Sequence, residues 1–205
     1  QSNADLLEML ANSTKETEPK NHKKITTRIT GEITKMTELM DDVLILGKLT
    51  SGNVHYSPQE FNLVEFCDKL AKEFNSIQPD ERAINVVTEG EPYIINLDAK
   101  LLTHSLSNLI SNAFKYSAGK ESPKLTIHFK PTEFVLAIKD YGIGITKEEQ
   151  LHLFQPFFRA DNVTEIEGTG LGLSIAKEYV EINKGHITTK SILGEGSCFE
   201  ITFKR

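Results

Sequence analysis

Three short stretches of this chain hold the side chains from which a binding site can be assembled. The first is Leu106-Ser-Asn-Leu-Ile-Ser-Asn-Ala-Phe-Lys-Tyr-Ser117, which sets Asn108, Asn112 and Lys115 at helical spacing. A carboxamide oxygen is a hard ligand suited to Mg2+, and a lysine ammonium meets a phosphate as a point charge. The second is Asp140-Tyr-Gly-Ile-Gly144, a carboxylate followed by two glycines. The third is Gly168-Thr-Gly-Leu-Gly172, where bare backbone amides ahead of a helix can receive phosphate. A magnesium ligand, a carboxylate able to accept from a purine amino group and a phosphate cradle are the parts an ATP site requires.

The elements around them sharpen each reading. Asp98 is placed to cap a helix whose apolar stripe is Leu102, Leu106, Leu109 and Ala113, while His104, Asn108, Asn112 and Lys115 share another face. Asparagine is a mediocre helix former, so two on one face call for a reason; the alternative is a plain solvated face. Asp140 has the parity of Phe134, Leu136 and Ile138 and so continues the buried face of a strand. A carboxylate there is costly unless a donor meets it. Asp-x-Gly also caps its own turn in many proteins, which explains the glycines but not the inward parity. The helix after Gly172 buries Leu171, Ile175, Ala176, Tyr179 and Val180, with Gly185 expected as its C-cap. The spacing lacks the third glycine of a dinucleotide fingerprint and the Lys-Ser/Thr ending of a P-loop. Between the glycine clusters, Phe154-Gln-Pro-Phe-Phe-Arg159 and the polar residues 160–167 suit a loop over a nucleotide, with Asp161, Glu165 and Glu167 on its solvated face.

The chain is expected to form two parts. Residues 5–12 read as the tail of a helix and 12–24, with Pro19, as a polar loop. From Ile25 the positions Ile25, Ile29, Ile33, Met36, Met40 and Val43 form a bundle seam that ends near Thr50-Ser-Gly52. Such a hairpin cannot bury its stripe alone, so a two-fold partner completing a four-helix bundle is expected. Residues 53–205 alternate helices near 63–75 and 98–115 with strands around Leu125, Ile127 and Phe129, around Phe134 to Ile138, and around Phe199, Ile201 and Phe203. That is an α+β fold, a two-layer sandwich with helices over one sheet face.

Composition excludes other classes. A net charge of −6 offers no basic stripe for nucleic acid. Cys67 and Cys198 lack metal-ligand spacing and read as reduced thiols of a cytoplasmic protein. No apolar run reaches the roughly 18 residues that span a bilayer, so membrane attachment of a parent protein would come through upstream regions. Ser2-Asn3-Ala4 resembles the scar of a cleaved tag. His55, His128, His152 (in a short helix) and His186 have no ligand spacing and read as structural or exposed.

These motifs resemble the catalytic core of a bacterial two-component sensor histidine kinase: a partial dimerisation hairpin (1–52), then an ATP-binding domain (53–205) of the Bergerat type shared with DNA gyrase, Hsp90 and MutL. The asparagine helix matches the N box, Asp140–Gly144 the G1 box, Phe154–Phe158 the F box, and Gly168–Gly172 the G2 box. The resemblance implies that Asn112 holds Mg2+ with Asn108 beside it. It implies further that Tyr116 packs on adenine and that Asp140 takes the adenine amino group. Lys115 and Arg159 would approach the phosphates and the amides of Gly170 and Leu171 would cradle them, with Gly142, Gly144, Phe154, Phe158, Gly168, Thr169 and Gly172 completing the nucleotide set. ATPase relatives carry a glutamate base four residues before the magnesium asparagine. Asn108 stands there and accepts no proton near neutral pH, so phosphoryl transfer to a histidine fits better than hydrolysis. The acceptor histidine is expected upstream of residue 1, since His22 lacks the acidic neighbour, and a response regulator receiver domain is the expected partner. A gyrase- or Hsp90-type ATPase and a non-catalytic nucleotide-binding module are the competing readings.

Overall fold

A computed structural model describes residues 19–160, 163, 166 and 168–205. The expected helix tail at 5–12, the start of the polar loop, the tag scar and the acids at 161, 165 and 167 lie outside them. The chain divides into two compact units, Gln1–Gly47 and Lys48–Arg205.

All of the first unit's described residues belong to one helix, α1 (Pro19–Thr50), which continues past the unit boundary. The helix therefore begins within the stretch expected as loop. Proline is favoured in the first turn, where its missing N–H would have had no partner, and the lysines that follow propagate the helix well. Ile33, Met36, Met40 and Val43 of the seam are 59%, 65%, 63% and 48% exposed. Gly52, at φ +68, ends the helix in the left-handed conformation, with its N–H bonded to Leu49 O at 3.1 Å.

In the second unit the elements run β1 (Gln59–Asn62), α2 (Leu63–Ile77), β2 (Asn85–Glu89), β3 (Ile94–Leu97), α3 (Ala99–Tyr116), β4 (Lys124–Phe129), β5 (Glu133–Lys139), α4 (Lys147–Gln150), α5 (Gly172–Ile182), β6 (Gly185–Ile192) and β7 (Gly196–Lys204). A five-stranded sheet has the order β2-β4-β5-β7-β6, and β1 pairs with β3 in a separate ribbon. β2 and β4 run parallel with α3 in the connection between them, and the other pairs are antiparallel.

Alternation decides the layering. Leu125, Ile127, Leu136, Ile138, Ile201 and Phe203 are buried on one sheet face, against Leu63 and Cys67 of α2, Leu102, Leu106 and Leu109 of α3 and Val180 of α5. Each such side chain stabilises the fold by about 1.5–3 kcal/mol relative to its exposed state. The other face carries the Lys190–Glu200 ion pair at 3.0 Å. The unit is the expected α+β two-layer sandwich.

Two anchors fix α3. Asp98 caps its N-terminus, Oδ1 accepting from Lys100 N and Leu101 N at 2.9 and 3.2 Å, while Oδ2 accepts from Ser57 N at 2.8 Å. The buried Asn183 then ties the end of α5 to the start of α3: Asp98 N donates to its Oδ1 at 2.8 Å and its Nδ2 donates to Asp98 O at 3.1 Å. This corrects the expected glycine cap. The residue in left-handed conformation after α5 is Lys184, at φ 62, not Gly185. Gly185 instead opens β6, where a Cβ would come 2.5 Å from Phe203 Cε1, so it is small for packing. His152 likewise falls two residues beyond α4 rather than inside it.

Candidate functional site

The last two turns of α3, the turn after β5 and the loop before α5 converge. A Cβ on Gly172 would lie 2.5 Å from Asn108 Oδ1, and one on Gly168 would lie 2.7 Å from Lys115 Nζ, so the glycine loop runs along the asparagine face of α3. A Cβ on Gly142 would lie 2.2 Å from Tyr116 O, and Ile143 N donates to that same oxygen at 3.3 Å. The Asp140–Gly144 turn is thereby seated on the C-terminal end of α3. On its far side Gly194 N donates to Ile143 O at 2.8 Å, joining the turn to the β6–β7 hairpin.

Asp140 is 4% exposed, as its parity implied. Its Oδ1 accepts from Gly142 N at 2.9 Å and Ser197 N at 3.3 Å. Oδ2 accepts from no described residue, yet it is not among the sealed, unpartnered polar atoms of the described residues. One oxygen is therefore committed to the fold and the other is left for an incoming donor. Burial pushes the carboxyl above its ordinary value, and the two backbone N–H bonds oppose that shift.

On α3, Asn108 is half-buried and its Nδ2 donates to His104 O at 3.1 Å, which turns Oδ1 toward Gly172. The half-buried Asn112 carboxamide has no hydrogen-bond partner among the described residues. Lys115 Nζ stands 5.0 Å from the Tyr116 ring centre. Burial raises the Tyr116 phenol, with the Arg159 charge pulling it back, so these two residues share a neighbourhood.

The aromatic segment and the glycine loop are pinned together. Phe157 N donates to Gly170 O at 3.0 Å, and both residues are left-handed, at φ 65 and +74. A Cβ on Gly170 would meet Phe157 backbone at 2.8 Å, so glycine is required there twice over. Phe154 and Phe158 are partly buried against the core, whereas Phe157 is 61% exposed. Leu171 N donates to Thr169 Oγ1 at 3.2 Å, and the helix begins only at Gly172, with no side chain capping it. Arg159 donates through Nη2 to the carbonyls of Val163 and Ile166. In this structure it braces its own loop.

Sequence reasoning missed the supports. Asn183, Ser191 and Arg82 lie far along the chain from what they hold. Ser191 Oγ receives Ile145 N at 2.9 Å and donates to Gly196 O at 2.8 Å, linking the Asp140 turn to the hairpin. None of the three stands in a periodic pattern, so nothing local marked them.

Residues 97–205, more than half of the chain, match the family described as histidine kinase-, DNA gyrase B- and HSP90-like ATPase. The chain belongs to that family. Within this ATPase family its likeness is to sensor histidine kinases. It is 31% identical to the sensor histidine kinase WalK of Bacillus subtilis over 83% of this chain and 29% of WalK. It is 30% identical to the histidine-protein kinase ArlS of Staphylococcus aureus over 84% of this chain and 38% of ArlS. The chain thus spans about a third of those relatives. The solved complex of histidine kinase ThkA with response regulator protein TrrA shares the fold, at a TM-score of 0.74 and 22% identity over 96% of this chain and 55% of that chain. No helix among the described residues is long and apolar enough to cross a membrane.

Proposed function

We propose that residues 53–205 form the phosphoryl-donor domain of a sensor histidine kinase, binding Mg-ATP between α3, the Asp140 turn and the 168–172 loop. Bound ATP with Mg2+ supplies a transferable γ-phosphoryl group whose charge the cation neutralises. The donor set suits that group. Asn112 offers an unpartnered carboxamide for the cation, with Asn108 beside it. Asp140 offers a half-satisfied carboxylate to the adenine amino group, and Tyr116 offers its ring to the base. Lys115, placed against Gly168, meets the phosphates, and the 168–172 backbone supports them. Arg159 reaches them once it leaves the carbonyls of Val163 and Ile166. Phe154 and Phe158 hold the loop's root against the core.

The observation that carries transfer over hydrolysis is Asn108. Its carboxamide occupies the place where a water-activating base would stand, packed at Gly172, and a carboxamide takes up no proton. Water at that place is left without a base, whereas a neutral histidine attacks through a ring-nitrogen lone pair and sheds its remaining ring proton only after the bond to phosphorus has formed and that to the ADP oxygen has broken. The acceptor is a histidine on the dimerisation helix. The exposed stripe on α1 supports a homodimer through residues 1–52, and a receiver-domain aspartate on a response regulator takes the phosphoryl group onward, at the cytoplasmic side of a parent protein.

Incubating the full-length protein with γ-labelled ATP tests this. An acid-labile, base-stable phosphoprotein is expected, forming faster than free phosphate appears. Phosphate release outpacing phosphoprotein would mean an ATPase instead, and nucleotide binding with neither product would mean a non-catalytic module.

A further inference from the structure

The C-terminal end of α3 is held in an unusual way. An α-helix leaves its last carbonyls without intrahelical donors, and a left-handed glycine just past the end commonly covers them. Here the cap is Ser117, at φ −112, and it is fully buried. Its hydroxyl donates to Ala113 O at 2.6 Å. The other donors are imported. Arg82, from the loop before β2, places Nη1 at 2.9 Å from Phe114 O, 2.8 Å from Ser117 O and 2.9 Å from Ser117 Oγ. Ile143 N approaches Tyr116 O from the Asp140 turn.

Arg82 is built for this place. Its side chain is 13% exposed, and its guanidinium carbon lies 5.4 Å from the Phe114 ring centre. Asp80 aligns the fork: Oδ2 takes Arg82 Nε at 2.8 Å, and Oδ1 takes the Arg82 amide at 3.1 Å. A permanent cation at a helix C-terminus is also favoured by the helix dipole.

We propose that Arg82 is a positioning residue for the nucleotide site, clamping the last turn of α3 so that Lys115 and Tyr116 stay in register with the Asp140 turn. This rests on the nucleotide reading above. Within α3, among the described residues, Arg82 bonds the Phe114 carbonyl and the cap serine and no other side chain, so it acts on the site through the helix end. The carbonyl of Tyr116 sits so close to Gly142 that the helix end and the turn move as one joint, and Arg82 braces that joint from behind.

The test compares Arg82→Met with Asn75→Ala. Asn75 holds the same loop by accepting Ile84 N at 2.8 Å and donating to Ile84 O at 3.2 Å, and it makes no hydrogen bond to α3 among the described residues. In calorimetry with the magnesium complex of a non-hydrolysable ATP analogue, R82M is expected to bind about tenfold more weakly and N75A within about twofold of the unchanged protein. R82M/Y116A is expected to lose less affinity than the sum of the two single losses, because part of Arg82's effect runs through Tyr116 and the rest through Lys115. Without nucleotide, R82M is expected to speed hydrogen exchange at the Ile143 amide and at the Lys120 amide, which donates to Ser117 O at 3.0 Å, while N75A does not. Equal losses in R82M and N75A, or additive losses in the double variant, overturn the proposal. Should R82M not fold, Asp80→Ala is expected to move affinity and exchange in the same direction by a smaller factor, and no change in either overturns it too. If the unchanged protein fails to bind the analogue, the nucleotide reading falls, and unaltered exchange in R82M or D80A would still overturn the clamp.

Discussion

Asp140→Asn exchanges one carboxylate oxygen for an amino group of nearly the same size, at a residue only 4% exposed. The asparagine oxygen can keep the bonds from Gly142 N and Ser197 N, so the turn retains its shape. What changes is the charge and the character of the outward atom. Burial holds the folded-state carboxyl above its ordinary value, so the folded chain takes up its proton at a higher pH than the unfolded chain. The charge therefore lowers stability by its full amount above the folded-state pKa. That deficit shrinks as pH falls through the folded-state pKa and is gone below the unfolded one. An uncharged carboxamide at this position carries no such deficit. The variant is expected to melt at or above the parent's temperature at pH 8, with the gap closing on acidification. Binding goes the other way. A charge-assisted bond to the base is replaced by two donors facing each other, a loss of about 1.5–3 kcal/mol, which is about 10- to 150-fold in affinity. Thermal unfolding across pH and calorimetric titration with an Mg-bound ATP analogue read the two effects separately. A folded variant that binds the analogue within about twofold of the parent would refute Asp140 as the base reader.

Gly144→Ala forces a Cβ to 2.0 Å from Ile192 O at φ +67, whereas Gly119, at φ +72, has open space around it. The first change is expected to destabilise by well over the roughly 1–3 kcal/mol of a strained backbone position and the second by no more than that, as denaturant titration would show. Asn112→Ala is expected to abolish the part of ATP affinity that EDTA removes while leaving metal-free binding nearly intact, and an unchanged Mg2+ dependence would contradict its role as the ligand. The Cys67 thiol, fully buried and pushed up to about 12, is expected to resist a thiol reagent at pH 8 until the chain unfolds. Its labelling rate should then match the unfolding rate, and rapid labelling of the folded chain would contradict this burial.

The parts of the site that are legible in the sequence are those whose logic is local. The asparagine face of α3 follows from helical spacing, and the inward set of Asp140 follows from the two-residue period of β5. Both are consequences of backbone geometry over a few residues. Contacts closed over long stretches are not legible. Arg82 meets α3 more than thirty residues later, and Asn183 meets Asp98 eighty-five residues earlier. The displaced cap after α5 has the same origin: Gly185 is small because of Phe203, a partner in another strand, and Lys184 supplies the left-handed residue instead. The start of α1 escapes a reading by composition for another reason. Proline breaks a helix from within but opens one readily, and Pro19 does the second.

The pairing of β5 with β7 sets a limit on how this domain can change length. Lys139 lies opposite Cys198, and Asp140 N bonds Ser197 O at 2.9 Å, so the inward carboxylate is counted off along the ladder from its partner strand. A single residue inserted between Phe134 and Lys139 would turn the β5 side chains that follow it to the opposite face. It would bring the exposed Lys139 inward and turn Asp140 out, reversing the sign of the charge that faces inward. Around β5, length variation is tolerable ahead of that count, at the Pro131-Thr132 turn. Among relatives with a working site, insertions should collect at that turn, and the run from Glu133 to Gly144 should keep its length.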